Sequence, residues 1–138
     1  MYIEHIGIWT SDLKQLKAYY EVYFGGKANA LYENKVKQFS SYFISFESGA
    51  RLELMAKTDL EGNRVLENQK DKVGISHLAF GLASVEEVTD KAYQLRKAGF
   101  TILDGPRITG DGYFEFITLD PDGNRIEVST HATHSNAL

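Results

Sequence analysis

The 138-residue sequence predicts an α+β fold in which one strand–helix–strands unit is used twice. Three observations carry that prediction. Landmarks recur in one order at nearly constant spacing: His5 and His77 lie 72 residues apart, Gly26 and Gly99 73, Gly49 and Gly123 74, and Glu53 and Glu127 74. Each pair of landmarks also occupies the same kind of position: a histidine in an opening strand, a glycine ending a helix, a glycine in a turn, a glutamate in a closing strand. Finally, the repeat is longer than the roughly 20–50 residues of solenoid units, so two modules sharing one sheet are expected rather than a stack.

The elements follow in order. A first strand is expected at about residues 2–9, where apolar and polar positions alternate with period two. Thr10 and Ser11 offer N-cap oxygens to a helix near 12–24, with Leu13, Leu16, Tyr20 and Tyr23 on or near one face and Gly25-Gly26 as its stop. Tyr19, Tyr20 and Tyr23 read as helix packing. "SSYFISFES" (40–48) and "RLELMA" (51–56) form two strands around a tight turn at Gly49. The polar, charged stretch 57–74 is a connector. "ISHLAFGL" (75–82) then repeats the opening strand, and Ser84 with Glu87 makes a capping box for a helix through Val88, Ala92 and Leu95 that ends at Gly99. "GDG" (110–112) leads into a hairpin of "YFEFITL" (113–119) and "RIEVST" (125–130) around "DPDGN", where Pro121 presets the turn and Gly123 supplies a positive φ. Module one is thus about 1–56 and module two about 75–130 of a single domain, with a tail at 131–138 whose His131 and His134 read as surface residues.

Composition narrows the function classes. Hydrophobic content of 43% and charged content of 25% are those of a soluble globular protein. A net charge of −4 with Lys and Asp/Glu interleaved argues against a nucleic-acid partner. There is no cysteine, which excludes disulfides and thiolate metal sites. With no signal-peptide pattern and no apolar run of membrane-spanning length, a cytoplasmic protein without a membrane partner is expected.

Duplication explains shared elements, but not which polar residues are shared. His5 and His77 recur in the first strand of each module, and Glu53 and Glu127 in the last. Leu52 and Leu54 point to the face opposite Glu53, as Ile126 and Val128 do opposite Glu127. If the modules pair with approximate two-fold symmetry, two imidazoles and two carboxylates converge. That donor set suits one divalent ion among Zn²⁺, Ni²⁺, Co²⁺, Mn²⁺ or Fe²⁺. Trp9, on the His5 face, walls the same region. Glu115 has two readings, one that reaches this region to serve the substrate and a preferred one as a strand residue facing solvent.

With these residues in place, the chain resembles the vicinal oxygen chelate superfamily of glyoxalase I, bleomycin resistance proteins and extradiol dioxygenases. The resemblance covers nearly all of it: "EHIGIWTSDLKQLKAYYEVYFGGK" is similar to the family's opening strand and helix, "GISHLAF" to its second-module start, and "LDPDGNRIEV" to its closing hairpin. It implies two βαβββ modules forming an open, cup-shaped, eight-stranded mixed sheet with flanking helices. It also implies a glyoxalase I-like homodimer whose metal ligands are His5, Glu53, His77 and Glu127, with Zn²⁺ or Ni²⁺ favoured over Co²⁺ or Mn²⁺. At two positions that help hold glutathione in true glyoxalase I, an arginine and an asparagine, this chain has Trp9 and Lys57, the expected substrate-binding residues. The implied activity is that of a lyase or isomerase on a small α-oxygenated carbonyl substrate, with Glu127 moving a proton through a metal-bound enediolate. An extradiol dioxygenase or a fosfomycin-type thiol transferase uses three protein ligands, so the fourth argues against both. A metal-free bleomycin-type binding protein has no need of the ligand set.

Overall fold

The computed structural model describes residues 1–61 and 71–132. The chain divides into two compact units, Met1–Arg64 and Val65–Leu138, and the division falls in the expected connector. Each unit has a helix on one face of a mixed sheet, which makes the α+β fold of two βαβββ-type modules. The strands belong to two separate sheets, one of five strands and one of four.

In the first unit, β1 (His5–Trp9) runs parallel to β5 (Arg51–Lys57), which pairs antiparallel with β4 (Phe39–Ser45). The far edge of β4 is covered by two short strands, β2 (Lys27–Ala28) and β3 (Tyr32–Asn34). Between them Asn29 maintains the ladder: its side-chain oxygen accepts the Phe43 N–H at 2.8 Å, and its backbone N–H donates to the Phe43 carbonyl at 3.0 Å. Helix α1 (Leu13–Phe24) lies on β4 and β5, burying Leu16, Tyr19 and Tyr20 beside Ile44, Leu52 and Leu54.

The second unit repeats this plan. β6 (Leu78–Gly81) runs parallel to β9 (Arg125–His131), which pairs antiparallel with β8 (Tyr113–Leu119), followed by β7 (Ile102–Ile108). Helix α2 (Val85–Lys97) buries Val88, Ala92 and Leu95 at helical spacing in a core with Phe116, Ile126 and Val128. In both units, alternate residues of the last strand go into this core, so Glu53 and Glu127 stand on the face away from the helix.

Several ends differ from expectation. β1 and β6 begin at His5 and Leu78 because their parallel partners begin only at Arg51 and Arg125. The first helix is capped by Asp12, whose carboxylate accepts the Gln15 N–H at 3.0 Å, while Thr10 accepts the N–H of Asp12 itself. It ends at Gly25, in the left-handed region at φ 66°, rather than at Gly26. Ser84 caps α2 as expected, but Glu87 reaches back to the Ala83 N–H, one residue earlier than a standard box. The DPDGN turn is organised by Asp120, which accepts from the N–H groups of Asp122 and Asn124 and from the Asn124 amide. His131 is the last residue of β9, its ring 4.3 Å from that of Tyr113, whereas His134 lies outside the described residues.

Candidate metal centre

Each unit brings its predicted histidine and glutamate together. In the first, Gly7 of β1 is level with Glu53 of β5, and His5 Nε2 stands 3.4 Å from Glu53 Oε2. In the second, Ala79 is level with Glu127, and His77 Nε2 stands 3.2 Å from Glu127 Oε2. Parallel pairing of first and last strands is what joins residues so distant in sequence. The carboxylates are the more sheltered members of both pairs, the imidazoles about two-fifths exposed.

The residue just before each histidine holds its other nitrogen. His5 Nδ1 is hydrogen-bonded to the Glu4 carboxylate, which also takes the Arg51 guanidinium. These two bonds, His5 first, hold the Glu4 carboxyl below the usual range. With Nδ1 bonded to Glu4, Nε2 is the His5 nitrogen that faces Glu53. Arg51 in turn lies over the Phe43 ring at 4.1 Å, and that ring meets His5 edge-on at 5.3 Å. In the second unit His77 Nδ1 meets Ser76 Oγ at 3.0 Å. A hydroxyl donates or accepts, so Ser76 positions the ring without fixing its tautomer as a carboxylate does.

The donor atoms suit a divalent ion. With its lone pair presented on Nε2, each imidazole and the carboxylate oxygen facing it form two donors between which a divalent ion fits. Two donors each about 2.1 Å from one ion, at a tetrahedral angle, stand about 3.4 Å apart, the spacing both pairs approach. Each pair offers two donors, and among the described residues neither forms a group of three or more metal-holding side chains.

Glu115, with solvent-facing as its preferred reading, is partly exposed and stands beside the Glu127 carboxylate. Burial, and then the bond to and charge of Glu127, push its carboxyl up to about 7. Glu115 and Arg107 are register partners on β8 and β7, and Arg107 bonds Asp104 at 2.8 Å. Sequence reading missed two supporting residues, Glu4 and Ser76, although both carried a signal, since a side chain able to bond an imidazole nitrogen precedes each histidine.

Trp9 is level with Met55 on the Glu53 face of the first unit, and Lys57 lies one strand position further along that face. The Lys57 ammonium is 5.0 Å from the Trp9 ring centre and 3.6 Å from Asp59.

Residues 2–128 match the model of the glyoxalase/bleomycin resistance protein/dioxygenase superfamily. The chain belongs to that superfamily. Members of this superfamily generally bind a divalent metal. No curated protein matches the sequence. Among solved structures, the chain is similar to the trypanothione-dependent glyoxalase I of Leishmania major, with 23% identity and a TM-score of 0.72 over 96% of this chain and 88% of that one. It is also similar to glyoxalase I of Zea mays, with 20% identity and a TM-score of 0.75 over 95% of this chain and 45% of that one. A Vibrio cholerae integron cassette protein is 26% identical, with a TM-score of 0.64 over 94% of each chain. Among the described residues, no helix is long and apolar enough to cross a membrane.

Proposed function

We propose that His5, Glu53, His77 and Glu127 hold one divalent metal, Zn²⁺ or Ni²⁺ before Co²⁺ or Mn²⁺, in a glyoxalase-like lyase or isomerase acting on a small α-oxygenated carbonyl compound. The observation that carries this reading is the repeated pair, a histidine nitrogen 3.4 Å and 3.2 Å from a glutamate oxygen in the two units. In this reading the chain acts as one domain, 1–138, within a cytoplasmic homodimer.

When bound, the ion supplies Lewis-acid stabilisation of negative charge on the substrate's adjacent oxygens. The chain supplies the proton chemistry. Glu127 takes the α-proton on a carboxylate oxygen and returns it to the neighbouring carbon, acting as base and then acid. Glu115, bonded to Glu127, orients that carboxylate. Glu53 remains with His5, whose ring is held by Glu4. Trp9 and Lys57 bind the part of the substrate away from its reacting carbon.

The test is elemental analysis of the purified protein, followed by hemithioacetal isomerisation assays with several thiols. The expected result is one metal per chain, lost in His5→Ala and in His77→Ala, with Glu127→Gln keeping some metal but little activity. A protein that takes up no metal overturns the reading in favour of a metal-free binding protein, and full activity in Glu127→Gln overturns the choice of base.

A further inference from the structure

Beside the His5–Glu53 pair, the same sheet face of the first unit carries aromatic residues and, against them, the Lys57 ammonium. Trp9 is 45% exposed and Tyr32 54% exposed, large fractions for aromatic rings on a sheet face. Phe39 links them, meeting Trp9 edge-on at 6.1 Å and Tyr32 at 6.2 Å. Met55 lies between Glu53 and Lys57 on β5, its methyl group over Gly7, where an added Cβ would stand 2.9 Å away. A side chain at position 7 would push that methyl group aside, so glycine there leaves the thioether as an apolar floor.

Same-face residues on a strand advance about 7 Å per step. From Glu53, one step reaches the level of Met55 and Trp9, and a second reaches Lys57. The order along the face is therefore oxygen-chelating group, apolar wall, cation. We infer that the substrate carries an aromatic ring next to its adjacent oxygens and an anionic substituent on the far side of that ring. Trp9, Phe39 and Met55 take the ring, and the Lys57 ammonium takes the anion. A cationic ligand, which exposed aromatic rings otherwise attract, is rejected by Lys57. The exposed partner of Lys57, Asp59, gives way readily, because such surface pairs are weak.

This inference rests on the proposed function for the position of the chelating oxygens, but its test does not need the metal. Trp9 is the sole tryptophan, so its fluorescence reports directly on the site. Chelator-treated protein is titrated with 4-ethylbenzoate, its neutral isostere 4-ethylbenzamide, and hexanoate. The benzoate is expected to bind about fivefold more tightly than the benzamide, the scale of one exposed charge pair, and more tightly than hexanoate. Lys57→Met should abolish the difference between benzoate and benzamide, and Phe39→Ala should weaken both, with thermal melting confirming that each variant is folded. Equal binding of the charged and neutral rings, a preference that survives Lys57→Met, or tighter binding of hexanoate overturns the inference. Failure to isomerise any hemithioacetal would remove the proposed chemistry and leave these binding ratios to decide the subsite.

Discussion

Glu4→Ala should weaken zinc binding by about tenfold while leaving the fold intact. Glu4 touches no ion in the proposed centre; it holds Nδ1 of His5 and is itself held by Arg51. Loss of such an outer partner lowers metal affinity by about 10–100-fold in comparable sites. Glu4 is nearly half exposed, so water replaces part of what it supplies, and the low end of that range applies. Glu4→Gln keeps an acceptor oxygen but loses the charge, and should cost about threefold on the same scale. Ser76→Ala should cost less than Glu4→Ala, because the hydroxyl on His77 carries no charge. Competition against a chromophoric chelator gives the three affinities. In metal-free protein above pH 8, the imidazole ¹⁵N shifts give the tautomer directly, with His5 protonated on Nδ1 in the parent and mixed in Glu4→Ala. Unchanged zinc affinity in Glu4→Ala, or a larger loss in Ser76→Ala, refutes the assignment of Glu4 as the group that orients His5.

Other outcomes follow from the rest of the molecule. Glu115 has an ordinary value of 4.5 when unfolded and about 7 when folded, so between those pH values the folded chain keeps a proton the unfolded chain has released. Stability of the metal-free protein should therefore fall as pH rises from about 4.5 to 7, and Glu115→Gln should flatten that slope in urea titrations; an unaltered slope refutes the coupling. Leu54→Ala, at a fully buried position, should cost about 2–5 kcal/mol by urea unfolding, and a cost below 1 kcal/mol contradicts its place in the core. Asp120→Ala removes the acceptor of three hydrogen bonds at a site only 3% exposed and should cost about 2–4 kcal/mol, with Asp120→Asn milder; equal effects would show that the charge rather than the acceptor geometry matters.

The repeat was legible because glycines with left-handed φ and buried alternating strands leave strong marks. Gly49, Gly99 and Gly123, at φ 82°, 95° and 81°, are turn and cap positions that other residues adopt only with strain. The pairing of His5 with Glu53 and of His77 with Glu127 was readable from the equivalent places these residues hold. β2, β3 and β7 were not foreseen. The first two are short and interrupted by Asn29, and β7 carries Asp104, Gly105 and Pro106 where alternation is expected, with register shifts against β8 on both sides of Asp104. Gly105 is needed there because a Cβ would stand 2.5 Å from the Glu115 carbonyl, a close approach that no local pattern announces. For Glu115 the alternation along β8 was legible, but its carboxylate neighbour on β9 is set by register across strands rather than along one.

β1 is an outermost strand of its sheet and β6 of the other, while β5 and β9 are flanked on both sides. Among the described residues, His5 thus opens a strand paired along one side only and His77 directly precedes another, while each glutamate lies on a strand paired on both sides. Amide protons of β1 and β6 should exchange with solvent sooner than those of β5 and β9. A cation held by the histidine and glutamate of one pair, as proposed, would pin an edge strand to its neighbour.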